Sequence, residues 1–171
     1  IVMSNGCTNN KEILPNTSDY TKFKAMLFHV MQDLAKKIAK DGEGATKLIE
    51  VNVTGAQNSE SARMIAKSIV GSSLVKTAIF GEDPNWGRII AAAGYADTTF
   101  NPNQIDIVIG NITVLSKSTP IHFDKEEMQD IMSKDEVTIH MNLNDGHCEG
   151  KAWGCDLSYD YVKINALYTC L

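Results

Sequence analysis

Seven residues, Asp41-Gly42-Glu43-Gly44-Ala45-Thr46-Lys47, lie between a helical pattern and a strand pattern and fix how the two can be joined. Upstream, Tyr20, Phe23, Met26, Leu27, Val30, Met31, Leu34 and Ile38 recur at three- and four-residue spacings, the pattern of a long amphipathic helix. Thr17, Ser18 or Asp19 can cap its start, and Lys36, Lys37 and Lys40 suit the dipole at its end. Downstream, residues 47–54 alternate as a strand, closed by Gly55. The stretch is therefore a helix-to-strand connection with an acid held between two glycines. Glycine adopts backbone angles that other residues avoid and lets another group approach closely. Glu43 either occupies a tight turn or faces a ligand, and the frequency of glycine after helices favours the turn.

The bulk properties narrow the class. A chain of 171 residues suits one domain with a substantial core, 1–171. Its net charge is −5, and no basic cluster exceeds Lys36-Lys37 with Lys40 nearby, which disfavours a nucleic-acid surface. No apolar run approaches the roughly 18 residues of a membrane span. The start, Ile1-Val2-Met3-Ser4-Asn5-Gly6, lacks a charged leader and reads as a strand end running into an Asn-Gly turn. The expectation is a fragment or processed subunit whose core a partner completes. Cys7, Cys148, Cys155 and Cys170 form no C-x-x-C pair and read as reduced structural thiols, not as zinc ligands.

After the first strand, Asn58-Ser59 can cap a second helix with Ala62, Ile65, Ala66, Ile69 and Val70 on one face. Gly71-Ser72-Ser73 interrupts it. Residues 74–81 allow either a strand or a continuing helix. Asp83-Pro84 reads as cap and first residue of a further helix that runs through Ile89, Ile90, Ala91, Ala92 and Ala93 to Gly94. Trp86 and Arg88 can stack or contact a ligand, or form a packing corner. Residues 105–109 and 112–115 read as strands joined at Gly110-Asn111, and Asp124 caps a short acidic helix over 125–133. Residues 137–143 form a period-two strand with His140 on its polar face. The Asn144-Asp145-Gly146 turn then leads to a glycine-rich strand over 149–157, and the tail starts as a helix. Helices interleaved with strands, several of them hairpins, argue for an α+β or layered α/β sandwich over a doubly wound parallel sheet. A sheet covered on both faces accounts for strands without clean alternation.

The residues alone show no complete catalytic set. No Gly-x-Ser-x-Gly, His-Glu-x-x-His or Gly-x-Gly-x-x-Gly pattern occurs. His29, His122, His140 and His147 have no neighbours that mark them as bases. The acid pairs Glu82-Asp83 and Glu126-Glu127 lie at helix starts, where the dipole favours them anyway.

Three stretches carry more. They are Asp41-Gly42-Glu43-Gly44-Ala45-Thr46-Lys47; residues 74–88, ending Phe80-Gly81-Glu82-Asp83-Pro84-Asn85-Trp86-Gly87-Arg88; and residues 156–166, Asp156-Leu157-Ser158-Tyr159-Asp160-Tyr161-Val162-Lys163-Ile164-Asn165-Ala166. In order and spacing they resemble the β chain of the ornithine acetyltransferase, or glutamate N-acetyltransferase, family, over nearly the whole chain. The resemblance implies an α/β fold, a layered αββα-type sandwich of the self-cleaving aminopeptidase-like class. It implies a precursor that cuts itself before a threonine, which becomes the nucleophile with its own α-amine as base. It implies ping-pong transfer of acetyl from N-acetylornithine to that threonine and on to glutamate, in arginine biosynthesis. It further implies oxyanion donors and a substrate-binding lysine on an α chain, and an α2β2 assembly.

The nucleophile is then expected upstream of Ile1, with no catalytic residue in this chain; Thr46 sits mid-chain without a free amine. Glu43 matches the family's substrate-contacting glutamate and Asn165 its substrate-binding asparagine. The family's hydroxyl five positions beyond Asn165 is here replaced by Cys170, with Thr169 one residue earlier. No cofactor or metal is implied, and the location implied is cytoplasmic, with no nucleic-acid or membrane partner. Whether acetyl-CoA also serves as donor is left open by these residues. A paralogous N-acyl-amino-acid hydrolase or acyltransferase, or a non-catalytic interaction subunit, are the competing readings.

Overall fold

The computed structural model describes residues 1–167. By contact pattern the chain divides into Ile1–Ala35 and the part from Lys36 onward. The first part is loop up to the helix α1 (Ser18–Lys40), whose start is capped by Thr17, its Oγ accepting from the Tyr20 amide at 3.2 Å. No residue of α1 is buried. Thr169 and Cys170 lie outside the described residues.

The second part is built on one six-stranded mixed sheet. In chain order its elements are β1 (Leu48–Ala56), α2 (Ser59–Gly71), α3 (Ser73–Phe80), α4 (Trp86–Gly94), β2 (Asp106–Ile109), β3 (Ile112–Ser116), β4 (Thr119–Pro120), α5 (Lys125–Met132), β5 (Glu136–Asn142), β6 (Cys148–Cys155) and α6 (Tyr159–Leu167). The strand order is β4-β3-β2-β5-β1-β6. β1 runs parallel to β5 and antiparallel to β6. Ile49, Val51 and Val53 of β1 stand beside Val137, Ile139 and Met141 of β5, and all six are fully buried. Ala62, Ile65, Ala66 and Ile69 of α2 belong to the same core. Small residues let α2 come close to β6: a Cβ on Gly150 would meet the Arg63 backbone nitrogen at 2.5 Å. This close approach explains the glycine content of β6.

One open reading is decided and three expectations change. Residues 74–81 are helical, because Ser72 caps them by accepting from the Val75 amide and Val75, Ala78 and Ile79 face the core at helical spacing. α4 is capped by Asn85, not Asp83; the Asn85 side chain accepts from the Arg88 amide at 3.0 Å and donates to Asp83 at 3.0 Å. β1 does not stop at Gly55 but bulges there, with Gly55 at φ 68, and continues to Ala56. The two strands flanking Asn144-Asp145-Gly146 are not partners, since β1 lies between them. β1 takes an interior position, paired on both edges, with β5 on one side and β6 on the other. The packing corner holds: Arg88 Nη1 donates to the Leu74 carbonyl at 3.1 Å, and Trp86 packs on the core. The cysteines among the described residues, Cys7, Cys148 and Cys155, are free thiols.

The sheet face opposite α2 is polar. There Glu50 receives Lys36 Nζ at 2.5 Å, Trp153 Nε1 at 2.8 Å and Asn52 Nδ2 at 3.1 Å. Burial by itself raises the pKa of Glu50, but the hydrogen bonds from Lys36, Trp153 and Asn52 outweigh it and bring the value to about 2. A carboxyl depressed from 4.5 in this way stabilises the fold fully above that pH and loses its contribution as pH falls toward about 2. The wild-type unfolding midpoint should therefore fall more steeply between neutral pH and about pH 3 than that of Glu50→Gln. Parallel pH profiles in urea titrations would show that Glu50 has no such role.

Candidate functional site

The site begins where α1 stops. The Asp41 amide closes the last helical turn on the Lys37 carbonyl at 3.0 Å, and the Ala45 amide then bonds back to the Gly42 carbonyl at 2.9 Å. These bonds make residues 42–45 a tight turn with Glu43 at its exposed corner. Gly44 has φ 67, the left-handed region that costs other residues about 1–2 kcal/mol. It also has no room for a side chain, since a Cβ there would stand 2.7 Å from the Tyr161 backbone nitrogen at the start of α6. The tight-turn reading of Glu43 therefore holds, and the same turn presents its carboxylate outward.

The turn is fastened to the segment between β6 and α6. Asp156, only 3% exposed, accepts from the Thr46 amide at 2.8 Å, from the Lys47 amide at 3.0 Å and from the Thr46 hydroxyl. Ser158, 5% exposed, donates its hydroxyl to the Gly44 carbonyl at 2.5 Å and accepts from the Tyr161 amide at 3.3 Å. α6 leaves this clamp and carries Asn165 one turn beyond Tyr161. Asn165 Nδ2 donates to Glu43 Oε2 at 2.7 Å and to the Tyr161 carbonyl at 2.9 Å. The two site residues expected from the sequence, 122 positions apart, are therefore in direct contact. Thr169 and Cys170, the other two, lie outside the described residues.

Residues 74–88 join the same place. The buried Lys47 ammonium donates to Glu82 Oε1 at 2.7 Å and to the Met132 carbonyl, while Glu82 Oε2 accepts from Gln129. The Leu157 amide bonds to the Lys76 carbonyl at 3.3 Å, and Phe80 meets Tyr159 edge to face with ring centroids 5.4 Å apart. Sequence reading missed Asp156, Ser158 and the Lys47–Glu82 pair as parts of the site. An acid just after a strand is no signal until the β1–β6 register, Leu48 opposite Cys155, sets it beside residues 46 and 47. Among the described residues no group of three or more His, Cys, Asp or Glu side chains could hold a metal ion. No described helix is long and apolar enough to cross a membrane.

The ArgJ family model matches residues 1–170. The chain belongs to the ArgJ family. It is 70% identical over 169 residues to the arginine biosynthesis bifunctional protein ArgJ of Staphylococcus epidermidis, covering 99% of this chain and 43% of that protein. It is 66% identical over 168 residues to the protein of the same name from Streptococcus mutans, covering 98% of this chain and 42% of that protein. The crystal structure of arginine biosynthesis bifunctional protein ArgJ from Bacillus halodurans superposes with a TM-score of 0.94 at 53% identity, covering 98% of this chain and 79% of that one. The chain thus spans less than half the length of these curated relatives. All three stretches fall inside the part that matches the ArgJ family.

The turn geometry makes a direct prediction. Gly44→Ala should lower stability by roughly 1–3 kcal/mol, through backbone strain and the clash with α6. Thermal and urea unfolding measure this, and an unchanged midpoint would show that residue 44 does not need the left-handed conformation.

Proposed function

We propose that the full-length protein transfers an acetyl group from N-acetylornithine to glutamate through an acetyl-threonine intermediate, in the cyclic route of arginine biosynthesis. The observation that carries this reading is the Glu43–Asn165 contact at 2.7 Å, which joins a carboxylate and an amide from two distant family stretches on one exposed surface. An outward carboxylate suits a cationic amine such as that of ornithine, and the neighbouring amide, whose Nδ2 already donates to Glu43 and to the Tyr161 carbonyl, offers its Oδ1 as an acceptor to the ammonium of an amino-acid substrate. In the first half-reaction the threonine Oγ attacks the acetyl carbonyl. The bond to the ornithine nitrogen breaks, and that nitrogen takes up a proton. In the second, the glutamate amine attacks the acetyl ester, and the threonine hydroxyl is restored.

The nucleophile in this reading is a threonine in the part of the protein preceding Ile1, freed by self-cleavage. Residues 1–171 act as the C-terminal part of a β chain and supply one wall of the site. Exposed Phe23, Met26, Val30, Met31, Leu34 and Ile38 support an α-chain partner, because an apolar stripe of that length is a contact surface in most proteins. We assign that partner to the same precursor in an α2β2 assembly in the cytoplasm, with acetyl-CoA as a possible second donor and no bound cofactor.

The test uses the full-length protein with N-acetylornithine and glutamate. Formation of N-acetylglutamate with ping-pong kinetics is expected. Release of acetate to water instead would support an N-acyl-amino-acid hydrolase, and no turnover by folded, cleaved protein would support a non-catalytic subunit. Glu43→Gln should fold normally and lose about 100-fold or more in kcat/KM. Kinetics unchanged from wild type would remove Glu43 from the site.

A further inference from the structure

Glu43 and Asn165 reach each other from different carriers, a tight turn and a helix, and one hydroxyl is bonded to both carriers. Ser158 Oγ donates to the carbonyl of Gly44, the residue directly after Glu43, at 2.5 Å. The same oxygen accepts from the amide of Tyr161 at 3.3 Å and so caps α6. The carbonyl of Tyr161 in turn accepts from Asn165 Nδ2 at 2.9 Å, on the amide group that also holds Glu43. An unbroken chain of hydrogen bonds therefore runs from the Glu43 turn through Ser158 and Tyr161 to Asn165 and back to the Glu43 carboxylate. Ser158 is its only buried side chain: it is 5% exposed, whereas Glu43, Tyr161 and Asn165 are open to solvent. A buried, fully bonded hydroxyl has few alternative geometries, whereas an exposed carboxylate at a turn corner has many.

We propose that Ser158 is a positioning residue for Glu43: its hydroxyl locks the Gly44 carbonyl to the start of α6 and so sets the carboxylate against Asn165. The proposal rests on the acetyl-transfer reading for its kinetic consequence and on the hydrogen-bond chain alone for its structural one. Ser158 does not touch the substrate. It acts through Glu43, so its effect should vanish when the Glu43 carboxylate is absent. A residue that merely caps α6 would weaken the enzyme whether or not that carboxylate is present.

The experiment is a double-mutant cycle in the full-length protein. Ser158→Ala should lower kcat/KM for N-acetylornithine about 10- to 100-fold, the scale of a small misplacement of a binding group. Ser158→Thr, which keeps donor and acceptor, should stay within about 3-fold of wild type. Combining Ser158→Ala with Glu43→Gln should be no worse than Glu43→Gln alone, within about 2-fold, because the two changes remove one coupled function. Multiplying losses, or wild-type kinetics in Ser158→Ala, would overturn the proposal. If Ser158→Ala does not fold, Ser158→Cys, nearly isosteric but a weak donor, takes its place in the cycle. If the wild-type protein itself transfers no acetyl group, the functional reading falls, and crystal structures of wild type and variant then judge the positioning role. A Glu43–Asn165 bond kept intact in the variant would overturn it.

Discussion

The carboxyl group of Asp156 is the constraint on which the site depends. It lies just past the end of β6, and the antiparallel register with β1 brings it beside the two residues that precede β1. Lys47 is buried, and a buried backbone donor without a partner is costly. Asp156 supplies the acceptor for the amides of Thr46 and Lys47 and takes the Thr46 hydroxyl as well. A side chain only 3% exposed must have its oxygens satisfied, and here the satisfaction is mutual. The turn that carries Glu43 is therefore anchored to the sheet at its downstream end, and Ser158, two residues on, anchors it to α6.

Lys47 extends the anchoring into the helical layer. Its ammonium is almost wholly buried, and it survives there because Glu82, with a 2.7 Å bond, and the Met132 carbonyl replace water. Such a pair contributes less to net stability than to uniqueness, since losing one partner would leave a buried charge unmatched. Glu82 holds its place with a left-handed backbone at φ 56, uncommon for a residue with a side chain. The Glu82-Asp83 pair reads in the sequence as two acids at a helix start. In the structure Glu82 is a link to β1 and α5, and Asp83 supports the Asn85 cap. The long middle stretch of the family pattern thus serves the site by holding Lys47, without supplying a group that faces outward beside Glu43.

Elements with a strong period were legible. The stripe from Tyr20 to Ile38, the Asn58 cap, the Asp124 cap and the alternation of β5 each specify one local conformation, and each is found. Residues 74–81 were not, because Leu74, Val75, Ala78, Ile79 and Phe80 suit either period and only the Ser72 cap and the core contacts decide for a helix. Strand order was not legible either. Asn144-Asp145-Gly146 has the composition of a hairpin turn, yet β1 separates its flanking strands, pairing parallel with β5 and antiparallel with β6. The family stretches pointed to Glu43 and Asn165 one at a time, but nothing in the linear order said that their side chains meet.

The sequence by itself determined the turn. A glycine pair around Glu43 leaves the backbone little choice after a helix, and Gly44 takes the left-handed angle that its missing Cβ permits. It determined the family as well, through three long stretches in one register along the chain. Tertiary structure decided what the turn is fastened to. Asp156 and Ser158 lie more than 100 residues from the turn they hold, and only the β1–β6 pairing brings them to it. Local propensity acts over a few residues, whereas these bonds depend on strand register, which is set by burying one face of the sheet and cannot be read from either partner alone.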